Sequence, residues 1–504
     1  MVLCTQGSIA ERLSNRCCGV YTKDTVPYRY RGGVDLTRNR YVCSDGFLGQ
    51  VLCDDKMECG LKIAPLSQGL DTVTGDIVRV DGSVPGAHGV SADWIRSKET
   101  FLQLGKDWDV LFDRSNCEDV FLSHHWMAEW WERWGASHEL FVVTVRESGG
   151  RLVAVAPFCV RQPKLSWLGF RTLSFMASTG GLASDHLNIL VEPGAEAAAI
   201  PEIVRAVRGG REHWDYIELA DADASSPVFT QLRQGFRDMG LRERIIQRPP
   251  RPYIKLPSSF DGYLRGLAHR VRKNFRRSLR SLEKVGPVQL LCFTDNLEIQ
   301  ARFNDLLRLH HQRLDQLGKV SCFLEPSVLA FHWGLLKRMA SRLWPRLYVL
   351  QVGNETVAAL YGFSICRRFS FYQSGMNPAW SEFSVGMLML GKIIEQIIES
   401  GHREFDFLRG ASPYKLHWAK DSRASVTVRY SDQRMKSRAA MGPVVIREWA
   451  SHSRRVLRRG KAWVFDWAVR RLSWFREVAE EPGPMDGANH SGPPALCANS
   501  ARNY

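Results

Sequence analysis

The chain has no Cys-x-x-Cys pair and no histidine cluster at zinc-finger spacing, although it carries 12 cysteines. A structural zinc site is therefore not expected, and no metal is. It has no uninterrupted apolar run of the roughly 20 residues that a membrane-spanning helix needs. Its opening, MVLCTQGSIAERL, lacks the apolar stretch of a signal peptide. Acidic residues are short as well: 53 Asp and Glu stand against 68 Lys and Arg, a formal charge of +15. These deficits point to a reduced, cytoplasmic protein with free thiols and an attraction for anionic partners such as phosphates, nucleic acid or lipid. No recognition-helix motif appears, so DNA is not expected as the partner.

Of 504 residues, 44% are hydrophobic, enough for more than one core. Residues 1–90 show no useful periodicity and hold six of the cysteines, Cys4 to Cys59. They read as a disordered leader, or as sequence ahead of a true start such as Met57. From Trp94 the texture changes. VFLSHHWMAEWWERWG (120–135) offers Ser123 as a helix N-cap before Trp126, Trp130, Trp131 and Trp134 at helical spacing. Such a helix is either a ligand-stacking platform or a core face. LFVVTVRESGGRLVAVAPFCV (140–160) is a hairpin signal around Gly149-Gly150, and a helix near 196–208 leads into HWDYIELADA (213–222).

The same order returns in the second half. RLYVLQVGNETVAALYGFSI (346–365) is a second hairpin, followed by a strand (367–376), an amphipathic helix (386–401) and a final strand, EFDFLRG (404–410). WDYIEL and FDFLRG hold matching places. Two copies of one α/β unit are expected, over 91–250 and 251–432. Between them YLRGLAHRVRKNFRRSLRSLEK (263–284) reads as one helix with eight bases against the single acid Glu283, either a solvated charged face or a polyanion-facing one. The tail 444–475 mixes tryptophans with arginines, suited to a membrane interface, a partner groove or packing on the body. The stretch beyond Glu480 reads as disordered.

FDFLRGASPYKLHW (405–418) poses the chemical question. Strand alternation puts Asp406 opposite Phe405 and Phe407, and a carboxylate there needs a partner. Arg409 and Lys415 are the nearby candidates. The order hairpin, strand, helix, strand and Tyr-bearing segment over 346–418 resembles the acyl-CoA half of GNAT-type acetyltransferases, with Ser384, Val385, Gly386 and Met387 opening the helix whose free amides suit a pyrophosphate. The glycine loop of the common acetyltransferases, Q/R-x-x-G-x-G/A, is missing.

With FLSHHWMAEWWERWG, SFDGYLRGLAHRVRKNFRRSLRSLEKVGPV and YQSGMNPAWSEFSVGMLML added, residues 94–432 resemble the bacterial cellulose-biosynthesis acetyltransferases (CelD or BcsL). That family is distantly similar to the FemABX aminoacyltransferases. The resemblance implies two tandem GNAT-like mixed-sheet domains of α/β (α+β) class. It implies acyl transfer in a family linked to exopolysaccharide production, and fixes neither donor nor acceptor. The expected co-substrate is an acyl-CoA, with acetyl-CoA first, and the expected acceptor is an amine or hydroxyl of a small molecule, such as a nucleotide sugar or another cell-envelope or exopolysaccharide precursor. It places Tyr414 as the acid for the leaving thiolate, Asp406 as a base or water-orienting group, and Lys415 or Arg409 on a phosphate or on Asp406. Tyr372 and Ser374, on one strand face, would line the acceptor pocket. His310, His311 and Arg313 would supply a base, or simply belong to a helix surface. In the first copy Asp215 has no Arg-Gly or Tyr-Lys after it, so that copy would furnish an acceptor wall through Asp185 and His186, with the site in a cleft between the domains. Two other readings stand beside this one. One is aminoacyl transfer from charged tRNA. The other is a non-catalytic accessory protein docked at the inner membrane beside a polysaccharide synthase.

Overall fold

The computed structural model describes residues 89–434, less 164–168, 180–181, 183 and 411, together with Ser437 and the backbone of four short upstream strands. The chain divides into two units, Met1–Thr72 and Val73–Tyr504. In the first, β1 (Thr22–Asp24), β2 (Arg40–Val42) and β3 (Leu48–Gly49) pair as an antiparallel sheet. The leader expected over 1–90 and the tail readings beyond 437 otherwise fall outside the described residues.

In the second unit, β4 (Ile77–Arg79) pairs with β5 (Val90–Ile95). Three helices follow: α1 (Lys98–Gln103), α2 (Gly105–Arg114) and α3 (His124–Trp134). Next come the hairpin β6 (His138–Glu147) and β7 (Leu152–Arg161), then β8 (Thr172–Phe175), β9 (Leu190–Val191), α4 (Glu196–Gly209), β10 (Tyr216–Asp223), α5 (Pro227–Asp238) and β11 (Arg242–Lys255). Helices α6 (Phe260–Gly266) and α7 (His269–Glu283) lead to a second round: β12 (Val288–Phe293), α8 (Asn296–Gln316), α9 (Pro326–Arg338), β13 (Pro345–Val352), β14 (Glu355–Ile365), β15 (Arg368–Met376), α10 (Val385–Glu399), β16 (Glu404–Asp406), α11 (Pro413–Trp418) and β17 (Asp421–Ser431). The fold is mixed α/β with tandem GNAT-like halves.

Local chemistry accounts for these elements. The Ser123 hydroxyl accepts the Trp126 amide at the start of α3. Trp126 and Trp130 are fully buried, and their indole N–H groups reach Ser184 Oγ and the Thr179 carbonyl, so this helix is a core face rather than a stacking platform. The turns at Gly150 and Gly353, both at positive φ, close the two hairpins. The basic stretch expected as one helix is two, because Leu267 is extended (φ −81°, ψ 160°) and ends α6. The FDFLRG strand stops at Asp406 and is not the final one, since β17 follows.

All the strands from β4 onward join one 14-stranded sheet, and the halves exchange their last strands. β11, from the first half, pairs with β16 of the second. β17, from the second, pairs with β10 of the first. β11 and β17 pair with each other at the centre. One apolar cluster runs from Val90 and Trp94 through Phe303, Leu336 and Tyr361 to Tyr430, and so belongs to both halves. A second lies under α6, α7 and α10 on the opposite face of the second-half sheet. No helix among the described residues is long and apolar enough to cross a membrane.

Candidate functional site

β15 and β16 run parallel only from Arg368 opposite Glu404 to Ser370 opposite Asp406. Beyond that register β15 continues to Met376 paired only with β14, while the chain after β16 turns away through Leu408, whose φ is +55°. A slot of about 270 Å³ opens beside the edge of β15 that β16 leaves uncovered. Its walls include Phe371, Ser374, Gly375 and Met376 of β15, Ser384, Gly386 and Met387 at the start of α10, Arg313 of α8, and Tyr414, His417 and Trp418 of α11. Six residues singled out in the sequence therefore meet here: Ser374, Ser384, Gly386, Met387, Arg313 and Tyr414. Val385, between Ser384 and Gly386, is fully buried and contributes only backbone to this end.

Ser384 is left-handed (φ 52°, ψ 43°), and no side chain caps α10. The Ser384 and Met387 amides already donate to the Ser381 and Ser384 carbonyls, at 3.0 and 2.9 Å, which leaves the Val385 and Gly386 amides for an anion or for water. Beside the serines Ser374, Ser381 and Ser384, the polar side chains on the wall include Tyr414, His417 and Arg313. Burial pushes the Tyr414 phenol above its ordinary pKa, and the Arg313 guanidinium partly counters that from 5.5 Å over the ring. The neutral phenol is a proton donor at neutral pH.

Gly375 sets the geometry of the Arg313 side. A Cβ there would stand 2.2 Å from the His310 amide nitrogen, so only glycine lets α8 approach β15 this closely. His310, one turn before Arg313, is buried with Nδ1 2.9 Å from Ser321 Oγ, and burial lowers its pKa to about 4. It is a packed histidine on the strand-facing side of α8, neither surface nor base. His311 is not on the slot wall; its Nε2 is buried without a hydrogen-bond partner.

Several expectations need correction. Asp406 is fully buried, but its partners are neither Arg409 nor Lys415. His186 Nε2 lies 2.9 Å from Oδ2, Arg423 Nη1 donates to the same oxygen at 3.2 Å, and the Leu408 amide donates to Oδ1 at 2.7 Å. With both oxygens engaged and no face on the slot, this carboxylate is an anchor rather than a base. Arg409 is also committed: its amide and guanidinium hold Asp185, and its Nη2 reaches Asp221 Oδ2 at 3.3 Å. Arg251, 1% exposed, takes the other oxygen of Asp185 at 2.8 Å. Asp185 and His186 thus form a buried ionic junction, not an acceptor wall. Lys415 donates to the carbonyls of Phe407 (2.7 Å) and Arg409 (2.8 Å), and burial lowers its pKa to about 8. It ties down the turn after β16 and holds no phosphate.

Tyr372 and Ser374 do not share a face. Tyr361 pairs with Gln373 and Gly362 with Phe371, which leaves Tyr372 as a bulged residue without a partner. The bulge sends Tyr372 into the shared core against Trp126, His332 and Phe363, while Ser374 stays on the slot. Asp215 accepts the Arg171 amide at 2.7 Å, a structural bond. The slot is lined entirely by residues from Arg313 to Trp418, so it lies within the second half instead of a cleft between halves. A larger groove of about 550 Å³ between α4 and α5 touches none of the expected site residues. Among the described residues no His, Cys, Asp or Glu group is arranged to hold a metal ion. Sequence reasoning missed His186 and Arg423 as the partners of Asp406, and Gly375 as the point of contact. An isolated glycine inside a strand pattern was the available signal for the last.

Residues 269–416 match the family model described as an acetyltransferase (GNAT) domain, a stretch that holds nearly all of the slot. No curated protein matches the chain. Among solved structures, FemX is similar at 11% identity and a TM-score of 0.46, over 64% of this chain and 95% of its own. The C-terminal domain of a putative lysylphosphatidylglycerol synthetase from Agrobacterium fabrum matches at 10% identity and 0.42, over 69% and 98%. A tandem GNAT protein from the clavulanic acid biosynthesis pathway matches at 13% and 0.36, over 67% and 98%. The family match thus identifies residues 269–416 as a GNAT-type acetyltransferase domain.

Proposed function

We propose that the chain is an acyl-CoA-dependent acyltransferase, with acetyl-CoA the first candidate donor, whose reaction centre is the slot between β15, α10 and α11. The observation that carries this reading is the meeting of a helix start without a side-chain cap, with the Val385 and Gly386 amides free, and the half-buried phenol of Tyr414 on one cavity wall. An acyl-CoA would bring an activated thioester. The free Val385 and Gly386 amides would donate hydrogen bonds to its phosphates, Ser374 and Phe371 would border the arm, and Tyr414 would hand its proton to the departing thiolate. Arg313 would then stabilise the phenolate left behind.

Among the described residues the slot wall carries no carboxylate. The acceptor amine or hydroxyl must therefore enter as the free base or lose its proton to water at the mouth. Turnover is expected to rise with pH as the acceptor deprotonates and to fall only above the ordinary phenol range of about 10, where Tyr414 loses its proton. The resemblance to cellulose-biosynthesis acetyltransferases favours a sugar or cell-envelope precursor, such as a nucleotide sugar, as the acceptor and a cytoplasmic setting.

The test is calorimetric titration of acetyl-CoA into the full chain and into Tyr414→Phe, followed by thiol-release assays on sugar-nucleotide acceptors. Both proteins should bind, and the variant should lose about 10²–10⁴ in turnover together with the alkaline limb of its pH profile. Absence of binding by folded protein would remove acetyl-CoA as donor and leave charged tRNA or the accessory-protein reading.

A further inference from the structure

Helix α7 buries Val271, Phe275, Ser278 and Leu282 on one face. Phe275 is held tightly there: a Cβ on Gly391 of α10 would fall 2.3 Å from its ring. At 100° per residue the opposite face is made of Arg270, Lys273, Arg276, Arg277, Arg280 and Lys284. None of these six has an ion-pair partner among the described residues, whereas Arg251, Arg409 and Arg423 are each paired. Several of the six stand three or four residues apart, including Lys273 with Arg277 and Arg276 with Arg280, so they repel one another along the helix. The α7 fold thus carries a cost that an anionic partner would offset.

We propose that the outer face of α7 is a docking surface for an anionic phospholipid membrane. The helix is about 22 Å long at 1.5 Å per residue, and its inward face fixes the cations in one rigid row. That row presents only cations: its apolar side chains face the core, so it sits on headgroups and does not insert. It also offers no exposed aromatic side chain on which a nucleic-acid base could stack. A membrane is therefore favoured over RNA. The surface would bring the protein to where lipid-linked or membrane-adjacent acceptors are made.

The experiment is co-sedimentation of the full chain with vesicles of phosphatidylcholine alone and with about 30 mol% phosphatidylglycerol. The wild type should bind only the anionic vesicles and release as salt rises from about 0.1 M to about 0.5 M, where the Debye length is cut by roughly half. A variant with Arg270→Gln, Lys273→Gln, Arg276→Gln and Arg277→Gln should bind at least about tenfold more weakly, since each cation near such a surface contributes independently. It should melt at or slightly above the wild type, because these side chains hold nothing in the fold and their mutual repulsion is reduced. Equal binding to neutral vesicles, unchanged binding by the variant, or displacement of the protein from anionic vesicles by stoichiometric RNA would each overturn the proposal. The readout does not involve acyl transfer, so it stands or falls apart from the reaction assigned to the slot.

Discussion

At the scale of single residues, the strongest constraint is the Asp406 carboxylate. Removing its charge by Asp406→Ala leaves His186 and Arg423 facing a buried gap, which is expected to destabilise by about 3–5 kcal/mol. Chemical denaturation of the variant beside the wild type measures this. The pair also predicts a pH dependence. Burial works to lower the His186 pKa, but the adjacent Asp406 charge outweighs it and holds the imidazolium above its ordinary range. Burial likewise works to raise Asp406, and His186 and Arg423 overcome it to hold the carboxyl well below the carboxylate range. A raised histidine stabilises fully below its unfolded pKa of about 6.5 and loses that contribution as pH climbs through its folded value. A depressed aspartate stabilises above about 3.9 and loses that contribution as pH falls through its folded value. The melting temperature is therefore expected to plateau between these limits and to decline on the alkaline side. His186→Asn, which tolerates the φ of +52° at this position, should remove the alkaline decline. Retention of that decline in the variant would assign it to another group.

At the scale of elements, the contact between α8 and β15 at Gly375 fixes where Arg313 points. Gly375→Ala must push the helix off the strand. The expected cost is about 1–3 kcal/mol, and donor binding should weaken as Arg313 leaves the slot. Calorimetry on the folded variant reads the second effect. The hairpins, α3, α4 and α10 were legible in the sequence because each rests on local signals: a Gly turn, a Ser cap, a 3.6-residue stripe. The bulge at Tyr372 was not, since alternation assumes an unbroken ladder and the extra residue reverses every face after it. The same applies to the site. Tyr414, Ser374 and the start of α10 follow from element order, whereas the partner of Asp406 lies 220 residues away and no local pattern carries that distance.

At the scale of the whole molecule, β11 and β17 decide whether the halves can exist separately. RERIIQRPPRPYIK (242–255) reads as a charged, proline-bearing connector, and most of β11 is exposed on its faces. Pro249 and Pro250 sit in the register gap between Arg248 and Arg251, where no ladder bond is asked of them. The element is a strand because β17 and β16 supply its hydrogen bonds from the other half. A fragment ending at residue 255 would leave β10 without β17, exposing an unpaired edge beside the shared core and a buried Asp185 without Arg409. A fragment starting at residue 256 would leave β16 and Asp406 without β11 and His186. Neither fragment is expected to fold alone, and mixing them should restore one cooperative transition, since each holds the strand that the other lacks. Circular dichroism melts of the separate and mixed fragments check this. Independent, sharp melting of the 256–434 fragment would show that the slot-bearing half carries its own stability, and that the exchanged strands serve only to position its partner.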